Sequence, residues 1–434
     1  MSRSQPDDAP AAPRLRCEDC AAAYPVDDAR AACACGGLLD VEHALGRTSA
    51  AGLRAAFESR AAPLGIDASG VWRYREMVLP IEPARVVTFP EGHTPLLDRG
   101  AVSRWTGAHE LLLKHEGLNP TGSFKDRGMT VAVTHALRVG ATAVACASTG
   151  NTSSSLTAYA AIAGIPALVL VPDGAVAEGK LAQTLAYGAR VLLVRGTFDD
   201  CLRLARQASG RLGVYLANSV NPWRVEGQKT IVLEMLEQLG WRAPDWIALP
   251  AGNLGNAAAF GKALREARAV GLIDRVPRLA LVQAEGAAPF ALSARGGFTE
   301  RVRVERPETV ASAIRIGNPA SYSRAIRAVR ETTGVVTTTS DAEILEAKAV
   351  IDASGTGCEP ASAASVAGVR RLIREGVIAP GARIIAVLTG HLLKDPAAAL
   401  GAQRVAGIGA GRGTPVEADL SAVEAALRDA VRGA

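Results

Sequence analysis

Short apolar runs alternate with longer amphipathic stretches along much of the chain. The apolar runs are bounded by turn residues and predict strands at residues 110–114, 143–147, 167–171, 191–194, 214–217, 246–250, 278–283 and 383–388. The stretches between several of them predict helices, at residues 153–163, 177–187 and 198–209. Strands that alternate with helices form parallel sheets covered on both faces, because right-handed crossovers put helices there. We therefore predict an α/β protein with two parallel-sheet layers, one smaller than the other, and a cleft between them.

Length and charge agree with such an architecture and argue against several partners. A chain of 434 residues is too long for one ordinary core. Its net charge of +5, from 48 basic and 43 acidic residues, is spread along the sequence, so we expect no nucleic acid partner. No apolar run reaches the length of a membrane helix, and residues 1–13 are polar rather than leader-like. We expect a cytoplasmic protein without a membrane partner.

Four of the seven cysteines cluster near the start of the chain, at Cys17, Cys20, Cys33 and Cys35. Two close pairs separated by a dozen residues can bring four thiolates together tetrahedrally, as zinc requires. The second pair has one residue between its cysteines, whereas a zinc ribbon normally has two. Residues 14–45 are therefore predicted to be a zinc-ribbon-like segment, with a remnant ribbon and a redox-active pair as alternatives. An odd number of cysteines also argues against a secreted disulfide scaffold.

A lysine occupies an unusual place in the stretch after the first predicted strand. Residues 119–122, Asn-Pro-Thr-Gly, form a turn, and a helix that Ser123 could cap follows, with Lys125 in its first turn. The partial positive charge of a helix N-terminus favours a neutral amine there, which is the form that reacts with aldehydes. The alternative is a solvated lysine on an amphipathic helix.

The sequence around this lysine resembles a known family. Residues 119–128, Asn-Pro-Thr-Gly-Ser-Phe-Lys-Asp-Arg-Gly, resemble the lysine segment of threonine synthases, pyridoxal-phosphate enzymes with the fold type II of the tryptophan synthase β subunit. The resemblance extends over residues 88–396 and implies that Lys125 forms a Schiff base with the aldehyde of pyridoxal 5'-phosphate. It also implies a catalytic region at residues 46–434, with a smaller mobile subdomain at about 130–225.

Ligands of open α/β sheets bind beyond the carboxyl ends of the strands, and one polar loop follows the predicted strand at residues 143–147. Its hydroxyls and the following helix N-terminus suit the α-carboxylate of an amino acid, which favours Ser148, Thr149 and Thr152 as substrate-binding residues. The amide of Asn151 could donate to the phenolic oxygen of the cofactor. An ordinary N-capping loop is the alternative.

Two further loops are candidates for the cofactor. After the strand at residues 246–250, glycines allow several backbone N–H groups to approach a phosphate at a helix N-terminus. This loop resembles the phosphate cup of the family, which implicates Gly252, Asn253, Leu254, Gly255 and Asn256. Its alternative is a glycine turn for tight packing. By the same resemblance Thr389, after the last long strand, faces the pyridine nitrogen as a neutral hydroxyl.

One more segment bears on the substrate. Residues 218–230 resemble the threonine synthase stretch that binds the leaving phosphate of the substrate, which implicates Asn218 and Arg224. A guanidinium suits a phosphate better than a hydroxyl group. The alternative is that Asn218 only caps a helix and that Arg224 is a solvated surface charge.

The resemblance implies a lyase of threonine biosynthesis. It would convert O-phospho-L-homoserine and water to L-threonine and phosphate by γ-elimination and β-addition, and we expect it to act as a homodimer. A threonine or serine dehydratase, or a synthase using another O-phospho amino acid, would share the lysine and the cofactor cup. A rival of another class is a zinc-ribbon binding protein with an inactive α/β body.

Overall fold

The computed structural model describes residues 13–45, 48–60, 64–174, 178–405 and 415–432. Within these ranges the strands are β1 Arg14–Cys17, β2 Ala23–Pro25, β3 Leu39–Glu42, β4 Leu96–Asp98, β5 Glu110–His115, β6 Ala143–Ala147, β7 Ala167–Pro172, β8 Arg190–Val194, β9 Val214–Leu216, β10 Trp246–Pro250, β11 Arg278–Ala284, β12 Val335–Thr339 and β13 Arg383–Leu388. The helices are α1 Ala50–Glu58, α2 Arg75–Val78, α3 Gly100–Thr106, α4 Lys125–Arg138, α5 Asn151–Ile162, α6 Glu178–Ala186, α7 Phe198–Leu212, α8 Pro222–Gln228, α9 Thr230–Gln238, α10 Gly255–Ala269, α11 Pro289–Arg295, α12 Tyr322–Glu331, α13 Asp341–Ala353, α14 Pro360–Arg374, α15 Pro396–Val405 and α16 Leu420–Arg432. Across these ranges, none of the helices combines the length and the apolar character needed to span a bilayer.

The larger of the two α/β sheets has six strands in the order β12-β11-β10-β13-β5-β4. Five of them are parallel, and β4 pairs antiparallel with β5 at the edge. The two-layer α/β prediction is therefore confirmed, with the correction that this sheet is mixed rather than wholly parallel. Strand β4 was not predicted because it has three residues, and strand β12 was not predicted because its sequence, Val-Val-Thr-Thr-Thr, is largely polar.

The smaller sheet has four parallel strands in the order β8-β7-β6-β9. All four strands fall within the predicted subdomain of about 130–225, although the mobility and the bounds of that subdomain stay predictions. A third sheet, β2-β1-β3, is antiparallel and lies in the cysteine-bearing segment. Its alternate residues Leu15, Leu39 and Val41 are buried, so one face of this sheet joins the main core.

Helices α4 and α8 meet backbone to backbone. A Cβ atom built on Gly227 of α8 would lie 1.8 Å from the carbonyl oxygen of Arg127 in α4. Only glycine allows this approach, since the neighbouring atom belongs to the main chain and cannot rotate away. The contact joins the helix that begins at Lys125 to the helix that carries Arg224.

We expect Gly227→Ala to lower the free energy of unfolding by about 2–3 kcal/mol, because the added methyl group forces the two helices apart. The matched control is Gly210→Ala, in the exposed part of α7, where an added Cβ meets no atom within 4 Å. There the same substitution should be neutral or stabilising, since alanine favours helix more than glycine does. The urea midpoint followed by circular dichroism measures both variants, and an unchanged midpoint for Gly227→Ala would contradict the contact.

Candidate active site

The lysine turn, which we define as residues 119–128 around Lys125, is joined to the loop after β13. Helix α4 begins at Lys125, so this lysine lies in the first turn as predicted, but the residue that caps the helix is Phe124 and not Ser123. The Ser123 hydroxyl instead accepts a 3.4 Å hydrogen bond from the N–H of Lys125. The N–H of Phe124 donates to the carbonyl oxygen of Thr389 at 3.0 Å, and Ser123 forms a β-bridge with Gly390. The structure thus brings together Lys125 and Thr389, two candidates that are far apart in sequence.

The amine of Lys125 is half-buried and lies 4.0 Å from the ring centroid of Phe124. Burial, assisted by the positive charge of Arg224 and opposed by Glu359, lowers the pKa of Lys125 to about 7. A substantial fraction of this amine is therefore neutral near pH 7, whereas an exposed lysine is almost wholly charged. A neutral amine can act as a nucleophile or as a base.

A buried ion network fixes the first turn of α4. Arg127 donates two hydrogen bonds to Glu116, of 2.7 and 2.8 Å, and two to Glu234, of 2.8 and 3.2 Å. Lys114 also donates to Glu234, at 2.6 Å. All four side chains are buried, and removing one partner from such a group leaves another charge unpaired in the core. The network therefore holds in place the helical turn that carries Lys125.

The predicted phosphate loop has the features of an anion site. Helix α10, of 15 residues, begins at Gly255 directly after Leu254, whose φ of 64° is left-handed. A Cβ on Gly252 would lie 3.0 Å from the Cα of Ile314, so a side chain at this position would be crowded by backbone. The side chain of Asn256 is 6% exposed, yet neither polar atom of its amide has a hydrogen-bond partner in the structure. Buried amides are normally paired, so this one fits a ligand at the helix N-terminus.

Gln228 lies between the phosphate loop and helix α4, which begins at Lys125. Its Nε2 atom lies 3.1 Å from the Cβ position of Gly128, one turn beyond Lys125. Its Oε1 atom lies 3.4 Å from the Cβ position of Gly255, at the start of α10. The side-chain amide of Gln228 therefore lies between the start of α4 and the start of α10. The side-chain oxygen of Asn253 accepts a hydrogen bond from the N–H of Ala320 at 3.3 Å.

Glu359 is a candidate site residue to which the sequence alone gave no role. Its carboxylate accepts hydrogen bonds from Asn151 at 3.0 Å and, more weakly, from the Thr389 hydroxyl at 3.4 Å. Burial raises the pKa of Glu359. The carboxylate thus connects the polar loop after β6 to the loop after β13. A single glutamate before Pro360 looks like an ordinary helix start, so the sequence indicated no role for it.

The polar loop after β6 is half-buried and leads directly into α5. Ser148, Thr149, Asn151 and Thr152 all belong to it, and α5 begins at Asn151. The Ser148 hydroxyl accepts a 3.3 Å hydrogen bond from the N–H of Gly150. The loop has the predicted strand-to-helix position, and Asn151 holds it beside Glu359.

The two candidates for the substrate phosphate are in different environments. Asn218 uses both atoms of its amide on the backbone of Ala147, at 3.0 and 3.1 Å, so its direct contact with a phosphate stays a prediction. Arg224 is 1% exposed, and one of its nitrogens donates to the carbonyl of Ala217 at 3.1 Å. Its Nε has no partner, and among the described residues no carboxylate lies within 4.0 Å of its guanidinium. Burial lowers the pKa of Arg224 to about 10, so the group is still a cation at pH 7.

The four clustered cysteines converge in the N-terminal sheet. Their sulfur atoms all lie within 4.8 Å of one another, with 3.5 Å between Cys17 and Cys35 and 3.6 Å between Cys20 and Cys33. Sulfurs around a tetrahedral zinc ion lie about 3.8 Å apart, given zinc–sulfur bonds of about 2.3 Å. A Cβ on Gly37 would lie 2.8 Å from the Cys17 sulfur, which explains the glycine after the short second pair.

Comparisons with known proteins agree with this geometry. A family model described as pyridoxal-phosphate dependent enzyme matches residues 87–390. The chain is 47% identical over 384 residues to a threonine synthase from Methanosarcina acetivorans, which covers 88% of this chain and 92% of the relative. It is 43% identical over 390 residues to a threonine synthase from Methanocaldococcus jannaschii, with 89% and 94% covered. The crystal structure of threonine synthase from Escherichia coli has a TM-score of 0.70 at 18% identity, covering 96% of this chain and 100% of that one, and supports the fold alone.

Proposed function

We propose, from the premise that this chain belongs to the pyridoxal-phosphate dependent enzymes and among them to the threonine synthases, that it converts O-phospho-L-homoserine and water to L-threonine and phosphate. The observation that carries the choice of a phosphorylated substrate is Arg224. A fully buried guanidinium near Lys125 that has no carboxylate partner among the described residues favours an anion as its ligand, and a phosphate dianion meets that requirement. A dehydratase has no need of such a group.

The residues present fit pyridoxal phosphate. The unpartnered amide of Asn256 and the backbone from Gly252 to the start of α10 suit its phosphate, and Lys125 suits its aldehyde. We assign Asn151 to the phenolic oxygen and Thr389 to the pyridine nitrogen. When bound, the cofactor withdraws electrons from the substrate and makes the protons at Cα and Cβ acidic.

The chain's own residues then bind the substrate and move its protons. Neutral Lys125 takes and returns protons at Cα and Cβ, and burial keeps it neutral enough to do so. Arg224 holds the phosphate as it leaves Cγ. Ser148, Thr149 and Thr152 hold the α-carboxylate at the start of α5. Asn218 supports this loop through Ala147, the residue immediately before it.

One pair of assays separates this reaction from its nearest rival. Purified enzyme with pyridoxal phosphate should release inorganic phosphate from O-phospho-L-homoserine and form L-threonine in equal amount. It should release much less ammonia from L-threonine or L-serine. Ample ammonia without phosphate release would identify a dehydratase, and phosphate release from O-phospho-L-serine alone would identify a different phosphorylated substrate.

We propose further that Cys17, Cys20, Cys33 and Cys35 bind one structural zinc ion. The four convergent sulfurs support this, and so does the docking of the segment on the catalytic body. Glu18, between the first two cysteines, bonds Arg327 of α12 at 2.7 Å, and Asp40 of β3 bonds Lys262 of α10 at 2.7 Å. A zinc ion would therefore stabilise a sheet that supports α10, the helix of the phosphate loop.

Protein purified without chelator should contain about one zinc per chain by elemental analysis. Cys20→Ser should lose most of it, because a serine hydroxyl is a poor zinc ligand. The matched control is Cys201→Ser, a change in a buried cysteine of α7 outside the cluster, which should keep the metal. A zinc content far below one per chain in the unmodified protein would mean that the four thiols form an empty ribbon or a redox pair.

We propose that the enzyme is a homodimer that acts in the cytoplasm, without nucleic acid or membrane, on a small phosphorylated substrate. A reducing compartment keeps thiols available for zinc. Sedimentation equilibrium tests the dimer, and a monomer at the concentrations of the assay would reject it.

A further inference from the structure

We propose that Lys394 binds the α-carboxylate of the substrate, so that the substrate lies between two cations. The inference rests on the proposed function, which puts the phosphate on Arg224. Lys394 has no role assigned from the sequence. It lies at the end of a short 3-10 turn, Leu392–Lys394, that follows the Thr389 loop.

The ammonium group of Lys394 lies over the first turn of α5. It donates to the hydroxyl of Ser154 at 3.2 Å and to the side-chain oxygen of Gln183, on α6, at 2.6 Å. Ser154 follows closely after the polar loop that we assign to the α-carboxylate. Lys394 therefore adds a full positive charge at the place where the helix N-terminus contributes a partial one.

The charge of Lys394 is not neutralised by a direct ion pair. The side chain is half-buried, and in the described ranges no carboxylate lies within 4.0 Å of its nitrogen. Asp126 and Glu359 are the acidic groups that act on it from farther away, while His391 lies nearby in the same turn. Its two hydrogen bonds go to neutral oxygens, and an ammonium has three donors. One donor thus remains for an anion.

Lys394 and Arg224 flank the lysine turn at opposite ends. The Cε of Lys394 lies 3.0 Å from the Cβ position of Gly122, before Lys125. The backbone of Arg224 lies 3.0 Å from the Cβ position of Gly128, after Lys125. A phosphorylated amino acid carries its carboxylate and its phosphate at opposite ends, with the reacting carbons between them. This order matches Lys394, Lys125 and Arg224.

A different role would be purely structural, since Lys394 also joins the loop after β13 to α5 and α6. The two roles differ in what they predict for ligands. A carboxylate-binding lysine affects only ligands that carry a carboxylate. If Lys394 is only structural, its loss affects every ligand of the cleft. Removing its hydrogen-bond partner Gln183 then has the same effect as removing the lysine.

The test compares ligands that differ in one group, measured by calorimetry on the holoenzyme. L-2-amino-5-phosphonopentanoate has both anions, and 4-aminobutylphosphonate lacks the carboxylate. Lys394→Met should weaken binding of the first by about 10- to 100-fold and of the second by less than about twofold. Lys394→Arg should recover most of the loss, because it restores the charge. Gln183→Leu is the matched control and should leave both affinities nearly unchanged.

Equal weakening of both ligands in Lys394→Met, or the same loss in Gln183→Leu, would overturn the assignment. Failure of the proposed function is visible separately with L-norvaline, which has the carboxylate and no phosphonate. If the unmodified enzyme binds L-norvaline as tightly as the phosphonate ligand, the phosphate site is wrong. Lys394 is still tested in that case, since the affinity for L-norvaline must fall in Lys394→Met.

Discussion

Replacing Lys125 with alanine is expected to lower turnover of O-phospho-L-homoserine by about 1,000-fold or more and to remove the imine absorbance of the purified protein. The reason is that one amine both attaches the cofactor and moves the substrate protons. No other described residue within the lysine turn offers a neutral amine. Steady-state phosphate release and the absorption spectrum measure the two effects.

The control is chemical rescue of the same variant. Small primary amines such as methylamine should restore part of the turnover, because they fill the space of the lost side chain and can move a proton. Circular dichroism should be unchanged, since Lys125 takes no part in the ion network around Arg127. Full activity in Lys125→Ala would reject the assignment.

The lowered pKa of Lys125 sets the direction of a pH effect. Because the folded-state pKa is about 7, below the ordinary value for lysine, the neutral fraction of the amine rises with pH through that value. Capture of pyridoxal phosphate by the apoenzyme, trapped with borohydride, should accelerate up to about pH 8 and then level off. A rate that kept rising to pH 10 would mean an ordinary exposed lysine.

Arg224→Met should lower kcat/KM for O-phospho-L-homoserine by about 100- to 1,000-fold, since a buried charge that meets a phosphate is lost. The same change should leave the free energy of unfolding unchanged or raised, because an unpaired buried charge is replaced by an apolar side chain of similar length. A loss of activity without a loss of stability is what distinguishes a ligand-binding arginine from a structural one.

Arg127→Met is the matched control, because both arginines are fully buried and, within the described part of the chain, only Arg127 has carboxylate partners. Its loss leaves Glu116 and Glu234 short of positive charge and should lower the free energy of unfolding by about 3–5 kcal/mol. Urea unfolding of both variants gives the comparison. If Arg224→Met were destabilised as much as Arg127→Met, Arg224 would be a structural residue.

The elements that sequence analysis predicted well are those whose local pattern determines their limits. The strands at residues 143–147, 246–250 and 383–388 agree with the structure at both ends, because buried apolar runs stop at turn residues. Helix α5 begins two residues earlier than predicted, since Asn151 and Thr152 interrupt the apolar period. Edge strand β4 was lost because three residues are too short for any period.

The site was predictable only where a loop carries its own chemical signature. Glycine-rich and hydroxyl-rich loops after strands were visible in the sequence, and so was the lysine. Glu359 bonds Asn151 across 208 positions of sequence, and Lys394 bonds Ser154 across 240. Such contacts depend on the packing of the two sheets, and neither residue has neighbours that indicate its role.

The backbone contact between Gly227 and Arg127 has a consequence for which substrates are accepted. Because α4 and α8 cannot slide past each other there, the backbone positions that carry Lys125 and Arg224 are held at a constant separation. O-phospho-L-serine is one carbon shorter than O-phospho-L-homoserine. We therefore expect that it cannot place its reacting carbon at Lys125 and its phosphate at Arg224 at the same time. Chain length would thus be selected by the main chain of two helices, without any side chain that recognises the missing carbon.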